Sequence, residues 1–197
     1  MQKKKIVGIV LVVLLVLAGV CYDYIGGQQK DKAAGKAEAE QSQQVQPENE
    51  DLTKSPLDGQ AAPKLVLKDL KGKTVTIDGT KDHTIYVLNF WATWCPPCRA
   101  ELPEIQKFAS AKHENVKFYA INMQESPEKI QSFLQENGYD LPVLLDPEDK
   151  AASDYLVKYI PTTLIVDAKG IVRYQQVGGT TQEKLEAEIA KLKAEEK

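Results

Sequence analysis

Histidine is scarce in this chain of 197 residues, with two copies, and cysteine nearly as scarce, with three. A structural zinc site takes four ligands, and neither His83 nor His113 stands at ligand spacing from a cysteine pair or from the other histidine. No metal is therefore expected, and both histidines read as surface residues. A basic excess is also missing. Lysine and arginine number 25 against 28 acids, for a net charge of −3, and the two signs are mixed along the chain. That leaves no field to draw in nucleic acid. No segment repeats internally.

Charge disappears altogether near the N-terminus. Residues 1–5 carry three lysines, and then Ile6 to Tyr22 is an uncharged, mostly aliphatic run of 17 residues. That is near the lower limit of about 17–25 for a spanning helix. Lysines before the run and Asp23 after it place residues 1–5 in the cytoplasm and make 6–22 a transmembrane anchor, with the rest of the chain outside. The expected location is the cell membrane, crossed once. Two other readings stand beside the anchor. A cleaved signal peptide would need a small-x-small site, which Ala18-Gly19-Val20 fits poorly. A lipoprotein signal would end at Cys21, but Val20 occupies the position that wants a small residue.

Apolar content is what residues 23–56 lack. The stretch Gln41-Ser42-Gln43-Gln44-Val45-Gln46-Pro47 cannot bury enough surface to offset the entropy of ordering, so 23–56 reads as a disordered linker. As a random coil it would hold the remaining chain roughly 30 Å from the membrane.

Residues 57–197 then form one domain of ordinary size. Lys64–Lys68 and Thr74–Ile77 flank a Lys71-Gly72-Lys73 turn and read as a hairpin. Thr84–Trp91 reads as a strand buried on both faces. Residues 96–112 read as a helix, with Pro96 at its start, where a missing N–H costs little, and Pro103 inside it as an expected kink. A strand over Val116–Asn122 and a helix over Pro127–Asn137, stopped by Gly138, follow. Pro142–Leu145 is a short strand and Asp149–Val157 a short helix. Thr162–Val166 and Ile171–Val177 are strands joined by a turn at 167–170. A last helix over Thr181–Ala194 carries Leu185, Ile189 and Leu192 on one face. The order gives an α/β domain with a central mixed sheet, helices on both faces and an extra N-terminal hairpin.

The chemistry is concentrated in Trp94-Cys95-Pro96-Pro97-Cys98. Two thiols one helical turn apart can close a small disulfide ring and reopen it, which is a redox couple. Cys95 falls where the buried strand gives way to a helix. Unpaired N–H groups and the positive end of the helix favour a thiolate there. Cys95 is thus the residue that attacks, and Cys98, one turn further in, resolves the mixed disulfide. Pro96 and Pro97 supply no N–H, so the Cys95 thiolate has few donors. A weakly stabilised thiolate belongs to a reducing dithiol, not to a strong oxidant. Further along, Pro161 precedes an apolar strand, a position where a proline marks a sharp entry or a cis bond.

The run Trp91-Ala92-Thr93-Trp94-Cys95-Pro96-Pro97-Cys98, followed by Ile160-Pro161-Thr162-Thr163, resembles the thioredoxin superfamily. More narrowly it is similar to the membrane-anchored ResA/TlpA-type thiol–disulfide oxidoreductases, whose domain is of the AhpC/TSA-redoxin type. The anchor, the N-terminal hairpin, Trp-Cys-x-x-Cys and Glu101-Leu102-Pro103 carry that narrower likeness. The resemblance implies a thioredoxin-like fold with Pro161 as a cis-proline beside the dithiol. It also implies that the Ile160 backbone pairs with a bound substrate segment and that Trp94 packs at the rim. It further implies reduction of disulfides in exported proteins, apocytochrome c being a frequent substrate and spore envelope assembly another purpose. Electrons would come from a membrane thiol relay of the CcdA/DsbD type. No organic cofactor is called for, because the dithiol is the redox centre, and a monomer is expected. Thioredoxins carry a buried aspartate six residues before the first cysteine, where this chain has Asn89. Glu101, at i+3 from Cys98 on the same helix face, is the group expected to tune the thiols or take the Cys98 proton. Its plainer reading is a solvated surface carboxylate. The alternatives are a peroxiredoxin-like peroxidase, whose Pro-x-x-x-Thr-x-x-Cys setting is missing, and a copper chaperone or binding module, which usually adds a histidine to the cysteine pair.

Overall fold

A computed structural model of the protein describes residues 55–195. The expected cytoplasmic terminus, the expected anchor with Cys21, and the expected linker up to residue 54 lie outside the described residues. Among the described residues no helix is long and apolar enough to cross a membrane.

Seven strands form one mixed sheet: β1 (Leu65–Asp69), β2 (Thr74–Ile77), β3 (Ile85–Trp91), β4 (Val116–Met123), β5 (Val143–Asp146), β6 (Thr162–Val166) and β7 (Val172–Val177). Their spatial order is β2-β1-β5-β4-β3-β6-β7. β3, β4 and β5 are parallel, while the β1–β2 hairpin, β6 and β7 join antiparallel. All seven residues of β3 are buried, and its alternation divides the core in two. Ile85, Val87 and Trp91 point to one face, Tyr86, Leu88 and Phe90 to the other.

The first face is covered by α2 (Pro96–Ser110), α3 (Pro127–Asn137) and α5 (Gln182–Glu195) through Leu102, Ile105, Phe108, Ile130, Leu134, Leu185, Ile189 and Leu192. Each large side chain removed from water there contributes about 1.5–3 kcal/mol. The second face is covered by α4 (Lys150–Asp154), with Ala151, Ala152 and Tyr155, and by the segment from Leu57 to Ala62. That segment is tied to β7 by Gly59 N–H to Val172 O at 2.8 Å. Ser55, inside the expected linker, is already buried against it.

Three local expectations need correction. A single helical turn, α1 (Gly79–Asp82), stands between β2 and β3, where no element was expected. The α4 helix ends at Asp154, short of Val157, because Leu156 turns left-handed (φ 53°). Its start is capped from a distance, Asp146 accepting the Ala151 and Ala152 N–H groups at 3.0 and 2.9 Å. His113 is half-buried rather than fully exposed: its ring stacks on Phe108 with centroids 4.3 Å apart and Nε2 lies 3.0 Å from Phe108 O. The helix after the dithiol runs through Pro103.

Two glycines separate backbone conformation from crowding. Gly138 ends α3 at φ +69° with open space where a Cβ would stand, so Gly138→Ala is expected to lose only the left-handed preference, about 1 kcal/mol. Gly170 has φ +78° and a Cβ there would stand 2.9 Å from Thr80 N. Urea unfolding should therefore show a clearly larger loss for Gly170→Ala; equal losses would contradict the packing described.

Candidate active site

The register of the sheet assembles the site. Phe90 of β3 pairs with Thr162 of β6, so the residues after β3 meet those before β6. Cys95 sits beyond the end of β3 and Pro161 at the entry to β6. The Ile160–Pro161 peptide bond is cis, and Ile160 O lies 3.7 Å from Cys95 Sγ. The place is the carboxyl edge of the parallel strands, where the strand order turns from β4 on one side of β3 to β6 on the other, the usual location of sites in such sheets.

Cys95 and Cys98 are joined as a disulfide, Cα atoms 5.3 Å apart. Cys95 is also the N-cap of α2. Its backbone is extended (φ −88°, ψ 108°), and its sulfur accepts the Cys98 N–H at 3.2 Å. A helix leaves its first N–H groups without intrahelical partners. Here the first two of those positions are prolines, Pro96 and Pro97, so the first helical N–H that can donate to the sulfur is that of Cys98. Both sulfurs are buried, Cys98 more deeply (0% against 3%). Trp94, beside Cys95, is 57% exposed, and Tyr159, beside Ile160, is 60% exposed. Pro161 is buried and Ile160 half-buried.

Glu101 is not a solvated carboxylate: it is 5% exposed. Oε1 accepts from Asn89 Nδ2 at 2.8 Å, and Oε2 from the Thr180 N–H at 2.9 Å. Asn89 also donates to Thr163 Oγ1 at 3.0 Å. Burial pushes the Glu101 carboxyl up to about 7, against the opposing effect of those two hydrogen bonds. Asn89 Oδ1 and Thr180 Oγ1 have no hydrogen-bond partner among the described residues, so the acceptors a carboxylic acid proton could serve are present in the same buried region. Asn89, six residues before Cys95, is thus an amide, and the buried titratable carboxyl beside it is that of Glu101 on α2.

A second buried acid went unread in the sequence. Glu125, in the loop between β4 and α3, accepts the Thr93 N–H at 2.6 Å and the Thr93 hydroxyl at 2.5 Å. Burial alone would raise its carboxyl; the Lys129 ammonium, Thr93 and Asn122 overrule that and hold it below the ordinary value. Nothing in the run Met123-Gln124-Glu125-Ser126 marks this residue, since loops carry exposed acids routinely. Thr180 was equally silent, although the Gly178-Gly179 pair before it leaves room: a Cβ on Gly179 would stand 3.9 Å from Glu101 Oε2. Among the described residues no group of three or more His, Cys, Asp or Glu side chains could hold a metal ion.

A disulfide-forming pair at a helix start, faced by a cis-proline on this sheet, defines a thiol–disulfide oxidoreductase of thioredoxin-like fold. Comparisons with known proteins agree. Residues 59–175 match the model of the AhpC/TSA family, and the chain belongs to that family as a ResA-like member of the thioredoxin superfamily. It is 33% identical over 135 residues to the thiol-disulfide oxidoreductase ResA of Bacillus anthracis, a match covering 68% of this chain and 78% of that protein. The thioredoxin-like protein YneN of Bacillus subtilis is likewise 33% identical over 135 residues, covering 67% and 78%. Among solved structures, StoA from Bacillus subtilis superposes with a TM-score of 0.58 at 27% identity, covering 64% of this chain and 96% of that one. A DsbF homologue from Corynebacterium diphtheriae gives 0.63 at 26% identity, covering 76% and 98%.

Glu101 makes stability depend on pH. Its ordinary value is 4.5 and its folded value about 7, so between these the folded state holds a proton that the unfolded state has released. Stability is full below about pH 4.5 and falls as pH rises to 7, by about 3 kcal/mol. Glu101→Gln removes that dependence. Urea unfolding at pH 4 and pH 8 should show the variant gaining on the wild type by this order at the higher pH. A constant difference would mean the carboxyl is not protonated by burial.

Proposed function

We propose that this protein is an extracytoplasmic reductase of disulfides in exported proteins, apocytochrome c among them. Residues 6–22 hold it in the membrane as a monomer, and a membrane thiol relay of the CcdA/DsbD type re-reduces it. The observation that carries the reducing direction is the single backbone donor to Cys95 Sγ. A thiolate poorly stabilised in the dithiol form makes the disulfide form comparatively favourable, so the dithiol tends to give up its electrons.

The steps follow from the geometry. The Cys95 thiolate attacks one sulfur of a substrate disulfide and displaces the other as a thiolate, which takes up a proton. The substrate segment lies along the Ile160 backbone beside Pro161, in the manner of an added strand, with Trp94 at its edge. Cys98, buried below, then loses its proton to Glu101 one helical turn away and attacks Cys95 Sγ. The Cys95–Cys98 bond forms, the mixed disulfide breaks, and the second substrate sulfur leaves as a thiolate, which takes up a proton as Glu101 releases its own. Two electrons and two protons have passed to the substrate. A carboxyl poised near neutrality suits Glu101 for taking that proton.

Full-length Cys98→Ala protein expressed in its native host should accumulate mixed disulfides on Cys95, identified by mass spectrometry as cysteine-containing exported proteins. Glu101→Gln with both cysteines kept should show the same adducts at lower yield, because the closing step is slowed. Adducts drawn only from cytoplasmic proteins would contradict the location, and no adducts on Cys95 would contradict the mechanism.

A further inference from the structure

Glu125 takes no part in the steps above, yet its side chain is 2% exposed and its two oxygens make four contacts. Oε2 accepts the Thr93 N–H at 2.6 Å and Asn122 Nδ2 at 2.9 Å. Oε1 accepts the Thr93 hydroxyl at 2.5 Å and pairs with Lys129 Nζ at 2.7 Å. Both polar hydrogens of one buried residue therefore end on one carboxylate. Thr93 belongs to the turn that carries the attacking sulfur, closed by Cys95 N–H to Ala92 O at 3.3 Å. Two bonds from one residue to the two oxygens of a rigid planar group fix the orientation of that peptide as well as its position.

The delivery of Glu125 is itself unusual. Gln124, just before it, is left-handed at φ 57°, a conformation that glycine adopts more readily. It is held there by its N–H to Asp146 O at 3.1 Å and by its side-chain amide on the Asp149 carboxylate. Burying a carboxylate is unfavourable unless its partners are well placed, and packing alone would be served by an apolar residue. What the acid adds is the fork on Thr93.

We propose that Glu125 is a positioning residue for the dithiol: it clamps the turn bearing Cys95 and so sets how readily Cys95 and Cys98 close their ring. The inference rests on the dithiol chemistry assigned above. Ring closure against glutathione balances simply. One oxidised glutathione accepts two electrons and two protons from the two protein thiols; its S–S bond breaks, the Cys95–Cys98 bond forms, and two reduced glutathiones result. The equilibrium constant is a concentration, and it measures the effective concentration of one protein sulfur at the other. A turn free to wander lowers it.

The test equilibrates the full-length protein with glutathione mixtures and quantifies the oxidised and reduced forms. Glu125→Ala is expected to lower the constant about tenfold, which is about 30 mV toward oxidising for a two-electron couple. Glu125→Gln should stay within about threefold of wild type, because its amide can accept the Thr93 N–H and donate to the Thr93 hydroxyl. Thr93→Val, which loses the hydroxyl bond alone, should fall between. Thr93→Val combined with Glu125→Ala should be no worse than Glu125→Ala alone, as for groups acting as one unit. A folded Glu125→Ala protein with an unmoved constant overturns the proposal, as does a Glu125→Gln protein impaired as badly as Glu125→Ala. If Glu125→Ala fails to fold, the Thr93 variants decide: a drop in Thr93→Val restored by Thr93→Ser supports the clamp, and no drop overturns it. A wild-type protein that does not exchange with glutathione overturns the proposed function and the clamp together; exchange by wild type with unmoved variants overturns the clamp alone.

Discussion

The sulfur of Cys95 is the cap of the helix that follows it, and it receives its backbone hydrogen bond from Cys98. That one bond ties the chemistry of the site to the start of α2. The sequence Cys-Pro-Pro-Cys determines it: prolines are well tolerated in the first helical turn, so they start the helix cleanly, and in the same act they remove two donors that a thiolate would have used. Around this point the sheet brings up β6, and the cis Ile160–Pro161 bond puts a backbone carbonyl 3.7 Å from the sulfur. The exposed side chains beside it, Trp94 and Tyr159, leave an apolar border around sulfurs that are themselves buried.

Two buried carboxylates stand behind the dithiol, and their environments set them apart. Glu101 faces Asn89 and the Thr180 N–H, and burial drives its carboxyl up to about 7. Glu125 faces Thr93, Asn122 and the Lys129 ammonium and stays ionised. The first suits proton transfer and the second suits fixed geometry. The same residue type serves two purposes because one site supplies a cation and an extra set of donors while the other does not.

Much of the fold was legible because it is written in local patterns. β3 is seven consecutive apolar or buried residues, the hairpins carry their turn residues, and α3 carries both Ser126 as its cap and Gly138 as its stop. The pair Cys95 and Cys98 needed only spacing. Other features lay beyond local reading because distant residues decide them. The early end of α4 follows from a left-handed Leu156, a residue with no propensity for it. The half-burial of His113 was not legible because its partner, Phe108, lies near the end of the preceding helix and only the fold turns the ring onto it. Glu125 could not be told from any loop acid, since its partner Thr93 is 32 positions away.

The most direct measurement of a reducing dithiol is the standard potential of the Cys95–Cys98 couple in the wild-type full-length protein at pH 7. With so few donors to the Cys95 thiolate, a value close to thioredoxin's about −270 mV is expected. A value near about −120 mV, that of a strong periplasmic oxidant, would contradict it.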